Sequence, residues 1–374
     1  MVRAPAAADW RRTLDALGID ADPHAPGHPA PVDDTLLVSP TAPVAEHDAG
    51  AAGDWARRGR SERHRALDRF AALITAHAGP LAHAHCLETG YPLTQCERSV
   101  AAGAAHFAEV SQRLQWPAET AETTWRPRGD VGVAGRPGDG LADAFAQLAS
   151  ALYVGCTVRW QPQAPWMLLA RTLASLWQRA QAADTAAAAS LRLDPDGAPV
   201  TGTPGSHAVW VAPSAPVEHT VTQLAEAVCW QNGRGAFSVC DVMVDHALHW
   251  EITHRLTDAL AQCRGGDPCE PTCAWPDHLP RPHVHADTAD TAAAEHGAIT
   301  VRATDTVPAI DRVVRCFSVF SIDQRELHHI KQHAGLADRI CINTVPSSAL
   351  ELDPQAWHTW LVPRRHSEHA EHPC

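Results

Sequence analysis

The sequence predicts an α/β protein with largely parallel sheets and more than one hydrophobic core. Short apolar segments of strand type alternate with segments of helical periodicity from about residue 129 to residue 343, a pattern typical of parallel sheets with helical crossovers. The chain has 374 residues, of which 45% are hydrophobic and 20% are charged, and this composition favours two globular domains. We find no internal repeat at a fixed period.

The predicted elements follow in order along the chain. Residues 1–33 hold a short helix at 10–17 and then a flexible lead-in rich in Pro, His and Gly. The Gly90-Tyr91-Pro92 break separates two helices. The predicted helices are 61–78, 80–87, 93–114, 141–152, 165–188, 217–230, 247–263 and 324–334, and the predicted strands are 36–40, 129–135, 156–160, 208–212, 242–244, 299–301, 316–321 and 340–343. The tract 265–296 is predicted to be irregular and the tail 366–374 to be disordered.

Charge and cysteine content narrow the possible functions. The formal net charge of -13, with Lys331 as the only lysine, argues against a nucleic-acid partner, which requires a concentrated positive surface. No apolar run has the length of a membrane span, and the first residues lack the apolar core of a signal peptide. Eleven cysteines without regular spacing indicate reduced thiols, so we expect a cytoplasmic protein.

Seven segments, in order over about residues 36–345, resemble the aldehyde dehydrogenase superfamily. They are 65–74 with Glu88-Thr89-Gly90-Tyr91-Pro92, Val131 to Gly138, Leu148 to Val158, Trp160-Gln161-Pro162, Gly202 to Gly205, Gly266-Asp267-Pro268, and Arg339 to Asn343. The resemblance implies two parallel-sheet α/β domains, the first being a shortened cofactor domain, and an oligomerisation tail. The expected divisions are a lead-in at 1–33, a reduced dinucleotide-binding-like domain at 34–205, a former catalytic domain at 206–345, and the tail at 346–374.

The family's functional positions are where this sequence departs from the pattern. The loop from Asn232 to Cys240 is similar to the family's Asn-x-Gly-Gln-x-Cys loop, but Phe237 fills the place of the nucleophilic cysteine. Gly138 stands where the resemblance implies the oxyanion-stabilising Asn, and Gly202 where it implies the general-base Glu. Gln161 replaces the lysine that would anchor the cofactor ribose. The positions Gly138, Gly202, Phe237 and Gln161 are therefore interpreted as vestigial.

The cofactor segment is also shorter than in the family. Between about residue 183 and the segment 191–205 the family carries several tens of residues, which include the turn that binds the cofactor phosphates at a helix N-terminus. We therefore expect no NAD(P) cofactor, and we expect a non-redox structural or regulatory subunit. Its partners would be copies of itself or an active homologue of the same fold, and no nucleic acid or membrane.

An alternative is an enzyme that reuses the substrate pocket without NAD. Its candidate catalytic residues are Cys240, Asp241 and Asp139, the last beside the lost Asn position. The interpretation favoured for Cys240 is a small apolar residue at the start of a strand, which is how most free cysteines behave. A third hypothesis is NAD(P)-dependent aldehyde oxidation through a rebuilt site.

Two further patterns remain open in the sequence. Cysteines and histidines between Cys263 and His285 suggest a metal site, but their spacing fits zinc motifs only loosely and the chain holds 24 histidines. Metal ligation is therefore not predicted. Eight tryptophans are expected across the core, and those at 357 and 360 are expected near a partner in the tail 350–362. The eight are Trp116, Trp125, Trp160, Trp166, Trp177, Trp210, Trp230 and Trp250.

Overall fold

The fold is described from a computed structural model of the chain. The structure describes residues 6–20, 28–29, 36–37, 49–120, 123–135, 140–162, 167–194, 207–233, 235, 238–286, 297–306, 316–333, 337, 340–345, 359 and 361–365. No described helix combines the length and the hydropathy that crossing a membrane requires.

Most of the described helices lie in the first half of the chain. The described helices are α1 (Ala6–Leu17), α2 (Ala49–Arg57), α3 (Arg60–Ala76), α4 (Ala78–Thr89), α5 (Leu93–Arg113), α6 (Leu141–Val154), α7 (Met167–Ala180), α8 (Thr185–Ala188), α9 (Val217–Cys229), α10 (His246–Ala261) and α11 (Gln324–His333). Gly90, with φ of 69°, ends α4 in the left-handed conformation that glycine adopts without strain. The Gly90-Tyr91-Pro92 break predicted from the sequence is therefore confirmed.

The strands are mostly short. They are β1 (His28–Pro29), β2 (Leu36–Leu37), β3 (Thr123–Pro127), β4 (Asp130–Ala134), β5 (Thr157–Gln161), β6 (Leu191–Leu193), β7 (His207–Val211), β8 (Asp241–Asp245), β9 (Gly265–Gly266), β10 (Trp275–Pro276), β11 (His283–Ala286), β12 (Ala298–Thr304), β13 (Cys316–Phe320), β14 (Ile340–Ile342) and β15 (Leu361–Arg365).

Two parallel sheets organise the described chain, which confirms the predicted α/β class. Strands β4, β5 and β6 form a three-stranded parallel sheet in that order. The second sheet has six parallel strands in the order β11-β12-β8-β7-β13-β14. Every residue of β7 and of β13 is buried, as expected for central strands of a parallel sheet that is covered on both faces.

The first half buries a large apolar cluster between its helices and the three-stranded sheet. Phe70 packs against Phe107 and Trp177 with edge-to-face rings at centroid distances of 4.9 and 5.2 Å. Gly103 of α5 lets α6 approach so closely that an added Cβ would lie 2.0 Å from Cδ2 of Phe145. Close packing therefore fixes the positions of α5 and α6 relative to each other.

The C-terminal strand returns to the first half of the chain. β15 pairs antiparallel with β3, so that Leu361 lies opposite Pro127 and Arg365 opposite Thr123. Leu361 is buried in the same apolar cluster as the helices of the first half. The expected domain boundary at 205–206 lies outside the described residues and stays a prediction.

Three local expectations were wrong. The helix predicted over 165–188 is divided into α7 and α8, because Asp184 accepts a hydrogen bond from the backbone N–H of Ala187 at 3.1 Å and caps a new helix. The tract 265–296 is not wholly irregular, since it contains β9, β10 and β11. Trp250 is 75% exposed rather than in the core, and it stacks on His254 one turn along α10.

Candidate functional site

The loop that resembles the family's catalytic loop begins directly after α9. A single 3-10 turn, Trp230–Gly233, contains two left-handed residues, Gln231 with φ of 48° and Asn232 with φ of 56°. Left-handed backbone is costly for most side chains, although Asn tolerates it better than others. Asn232 is buried and its Nδ2 donates a hydrogen bond to the carbonyl of Gly90 at 3.0 Å. This bond holds the loop against the end of α4.

A glutamine on α5 fixes the start of the loop from the other side. The side-chain oxygen of Gln95 accepts from the backbone N–H of Gln231 at 2.7 Å, and its Nε2 donates to the carbonyl of Cys229 at 3.1 Å. Ser238 Oγ donates to the carbonyl of Trp230 at 2.9 Å and closes the loop. The strained turn is thus supported by three side chains, which indicates a specified conformation.

The loop meets the N-terminus of α6 through the side chain of Gln231. An added Cβ on Gly140 would lie 2.6 Å from Gln231 Nε2, and one on Gly235 would lie 2.7 Å from Gln231 Oε1. Gly140 at the start of α6 and Gln231 in the loop are therefore adjacent in space. Gln231 was missed by the sequence reasoning, because only its position beside Asn232 marks it.

The structure places Cys240 and Asp241 together at the start of β8. The carbonyl of Cys240 accepts a hydrogen bond from the backbone N–H of Thr300 at 2.9 Å, which ties the residue into the sheet. Asp241 faces Arg302 across the neighbouring strand, with Oδ1 and Nε 3.3 Å apart. The assignment of a catalytic role to Cys240 and Asp241 stays a prediction.

Four other positions assigned from the sequence lie outside the described residues. They are Gly138, Asp139, Gly202 and Phe237. The tail tryptophans at 357 and 360 also lie outside them. Their interpretation rests on the resemblance alone.

Gln161, at the position of the family's cofactor lysine, ends β5. Its Nε2 donates to Asp194 Oδ2 at 3.2 Å, directly after β6. Arg159, two residues earlier on the same strand, lies 3.9 Å from the same carboxylate oxygen and 3.1 Å from Asp130 Oδ2. Gln161 is thus a neutral side chain held by an internal carboxylate, and it offers no cation to a ligand at this strand end.

Glu88 closes the N-terminus of α7. Its two oxygens accept from the backbone N–H groups of Leu168 at 2.6 Å and Leu169 at 2.8 Å. Burial raises the pKa of Glu88 to about 8, although these two hydrogen bonds act in the opposite direction. A helix N-terminus binds phosphate through its free N–H groups, but here those groups are bonded to the protein's own carboxyl group.

The described residues therefore fit a dinucleotide poorly. A dinucleotide-binding fold is built from two βαβαβ halves, with phosphates at a helix N-terminus. Here the three-stranded sheet ends with β6, and residues 194–206 alone connect β6 to β7 of the other sheet. Glu88 fills the α7 terminus, and Gln161 supplies no charge. We derive no reaction step through such a cofactor.

The cysteine and histidine tract forms pairs in the described residues. No group of three or more His, Cys, Asp or Glu side chains within the described part of the chain is arranged to hold a metal ion. His283 and His285 on β11 place their Nε2 atoms 3.0 Å apart. The Sγ atoms of Cys86 and Cys269 lie 3.3 Å apart, which brings α4 next to the loop after β9.

Comparison with known proteins identifies the fold. Residues 42–188 match the sequence model of the aldehyde dehydrogenase family. An indole-3-acetaldehyde dehydrogenase in complex with NAD+ is similar with a TM-score of 0.74 and 16% identity, over 96% of this chain and 99% of that one. A gamma-glutamyl-gamma-aminobutyraldehyde dehydrogenase from Burkholderia cenocepacia J2315 has the same TM-score and identity, over 96% and 98%.

A third solved structure agrees with these two. Betaine aldehyde dehydrogenase from Staphylococcus aureus is similar with a TM-score of 0.74 and 14% identity, over 90% of this chain and 91% of that one. No curated protein sequence matches the chain. The chain therefore has the aldehyde dehydrogenase fold. Residues 42–188 match the family's sequence model, so the resemblance found in the motifs is confirmed for this segment and for the fold.

Proposed function

We propose that this chain is a non-redox structural or regulatory subunit of an oligomer of aldehyde dehydrogenase fold, paired with copies of itself or with an active homologue. The observation that carries this proposal is the direct connection from β6 to β7 through residues 194–206. It leaves the first sheet with three described strands, without the second βαβ half that a dinucleotide needs.

Two side chains of the first half support the same proposal. Glu88 places a carboxyl group on the N-terminus of α7, where a phosphate would otherwise find free N–H groups. Gln161 is neutral and bonded to Asp194 at the end of β5. Both features act against an anionic cofactor at the carboxyl ends of the strands.

The surface of the second sheet supports an oligomer. Among the described strands, β14 is the outermost on its side of the six-stranded sheet, and its residues Ile340 and Ile342 are 39% and 45% exposed. An apolar edge strand with open N–H and C=O groups is a template for pairing with another chain. The two-stranded ribbon of β3 and β15 is too small to be stable alone. We propose that the ribbon of one subunit extends the β14 edge of another.

Cofactor titration tests the non-redox part of the proposal. The full chain contains 13 tryptophans, which report binding through their fluorescence. We expect no saturable change with NAD or NADP up to millimolar concentration, and no reduction of either cofactor with aldehydes. Saturable binding accompanied by aldehyde-dependent reduction would instead support the third hypothesis, oxidation through a rebuilt site.

Light scattering after size-exclusion chromatography tests the oligomer. We expect an assembly larger than one chain, or co-purification from the host with a partner of the same fold. The double variant Ile340→Lys and Ile342→Lys places charges on the proposed edge and should release monomers. Ile322→Lys is the matched control, because Ile322 is also exposed but lies outside β14. A wild-type monomer isolated without any partner of this fold would refute the proposal.

A second candidate function is NAD-independent chemistry in the former substrate pocket. It is supported by the convergence of the Gln231 loop with the start of α6, next to Asp139 in the sequence. Cys240, Asp241 and Asp139 would carry it. Once an activity is assigned, Cys240→Ala and Asp139→Ala should each reduce kcat, and unchanged kcat in both variants would eliminate this candidate.

We further propose a cytoplasmic location. The eleven cysteines of the sequence have no regular spacing, a pattern that suits reduced thiols in a reducing compartment. Fractionation of host cells followed by detection of the chain tests this location, and recovery from an extracytoplasmic fraction would refute it.

A further inference from the structure

Two thiols meet where α9 and α10 end. Cys229 is the last residue of α9, and Cys263 follows α10 by two residues. Their Sγ atoms are 3.4 Å apart. A disulfide bond requires about 2.05 Å, so closure of this pair requires the two sulfur atoms to approach each other by roughly 1.4 Å.

Both thiols line a cavity of about 490 Å³. This volume falls in the range of small-molecule sites, roughly 300 to 1,000 Å³. The guanidinium groups of Arg98 and Arg264 line it together with the carboxylate of Glu226, and Arg98 pairs with Glu226 at 2.5 Å. The lining thus carries two cations and one anion, an excess of positive charge that favours an acidic ligand.

The local charges make the two thiols unequal. In the arrangement where Cys229 donates its proton, the hydrogen bond from Cys229 holds the pKa of Cys263 below its ordinary value, and Arg281 lowers it further. The same hydrogen bond and burial raise the pKa of Cys229. Cys273 also lines the cavity, but burial raises its pKa to about 11 and keeps it protonated. Since the thiolate is the nucleophile, Cys263 is the reactive member of the group.

We propose that Cys229 and Cys263 form a thiol–disulfide exchange site that reacts with a small, negatively charged disulfide of the oxidised-glutathione type. This site lies outside the Gln231 loop and uses neither the vestigial positions nor a dinucleotide.

The exchange proceeds in two displacements. The thiolate of Cys263 attacks one sulfur of the small disulfide, forms a mixed disulfide, and releases one thiolate of the small molecule. Cys229 then gives its proton to that thiolate and attacks Cys263 Sγ, and the second small thiolate leaves. The protein loses two electrons and forms one S–S bond, while the small disulfide gains them and leaves as one thiol and one thiolate; the thiolate takes from water the proton that Cys263 released on ionising.

The site is coupled to the loop that follows. The carbonyl of Cys229 accepts from Gln95 Nε2, and the oxygen of the same side chain accepts from the N–H of Gln231. Drawing Cys229 toward Cys263 therefore pulls on the bond that holds the left-handed turn. Oxidation is expected to change the exposure of Trp230, the residue between these two contacts.

Peptide mapping of the oxidised full chain tests the proposal without any substitution. Trypsin places Cys229 in peptide 193–234 and Cys263 in peptide 256–264, each as the only cysteine of its peptide. After brief treatment with oxidised glutathione at pH 7, we expect the first adduct on 256–264 and then a disulfide between the two peptides. First adducts on other cysteines, or linkage of Cys86 to Cys269 without this one, would overturn the proposal.

Variants separate the two displacements. Cys229→Ser should trap the mixed disulfide on Cys263, whereas Cys263→Ser should slow the first adduct by about tenfold because it removes the thiol whose pKa is lowered. Cys316→Ser is the matched control, since Cys316 and Cys341 are 3.5 Å apart away from this cavity. Equal rates in Cys263→Ser and Cys316→Ser, with wild-type circular dichroism in both, would also overturn it.

Discussion

Replacing Glu88 by Gln perturbs the buried carboxyl group that caps α7. The substitution preserves shape, but an amide has one acceptor oxygen, so its NH2 group faces one of the N–H groups of Leu168 and Leu169. An unsatisfied buried donor costs about 1 to 3 kcal/mol. Glu88 is only 3% exposed, so solvent does not relieve the conflict. Near pH 5 we therefore expect Glu88→Gln to lower the free energy of unfolding by that amount.

The stability of wild type relative to Glu88→Gln should fall as pH rises. Burial raises the pKa of Glu88 from 4.5 to about 8 in the folded protein. The folded state therefore retains a proton that the unfolded state loses between these values, and the stabilising contribution falls as pH rises. The loss approaches about 1.4 kcal/mol per pH unit between pH 5 and 8 and ends above pH 8. The Gln side chain of the variant does not titrate, so wild-type protein should become progressively less stable than the Glu88→Gln variant as pH rises from 5 to 8.

Urea unfolding at pH 5, 6, 7 and 8, followed by tryptophan fluorescence and far-UV circular dichroism, measures this difference. Glu97→Gln is the matched control, because it makes the same Glu-to-Gln substitution at an exposed position of α5. We expect the control to follow wild type at every pH. If the wild-type advantage over Glu88→Gln is constant or grows from pH 5 to 8, the carboxyl group is ionised throughout and the reasoning about burial fails.

Two further substitutions test packing and the strained turn. Gly103→Ala should lower the free energy of unfolding by roughly 1 to 3 kcal/mol, because its Cβ would overlap Phe145. In the control variant Gly79→Ala the added Cβ meets no atom within 4 Å, so the higher helix propensity of Ala should raise the stability by up to about 1 kcal/mol. A Gly103→Ala variant as stable as wild type in thermal unfolding would contradict the packing. Asn232→Ala loses the hydrogen bond to Gly90 and places Ala at a left-handed φ. We therefore expect about 2 kcal/mol of local destabilisation and faster tryptic cleavage after residue 234. Unchanged cleavage would show that the hydrogen bond is dispensable.

The parallel-sheet fold was predictable where strands are buried apolar runs. Residues of β7 and β13 are continuous apolar or small segments between turn residues, and both were found in the sequence. β3 was missed because Thr123–Pro127 combines polar residues with a proline and pairs with a strand far away in the chain. β6, with three residues, is too short for any period to show. The pairing of strands that lie far apart in the chain cannot be predicted from the local sequence pattern.

The contacts of the candidate site could not be predicted from the sequence. In the structure, Gly140 at the start of α6 lies next to Gln231 in the loop after α9. The sequence marked Glu88 only as part of a turn motif. Its signal was an ionisable carboxyl group in a mostly apolar helix, which requires a partner when it is buried. The partner, the end of α7, depends on tertiary packing.

The return of β15 to the first half has a consequence for how the chain folds. Leu361 completes an apolar cluster whose other members lie between residues 10 and 191. Those residues emerge from the ribosome long before residue 361, so the apolar surface that Leu361 covers is exposed during synthesis. Contacts between residues so far apart in the chain slow folding, because the entropy of closing the long loop is lost before the contacts form. A chaperone or an already assembled partner that covers this surface would then raise the amount of folded protein that a cell accumulates.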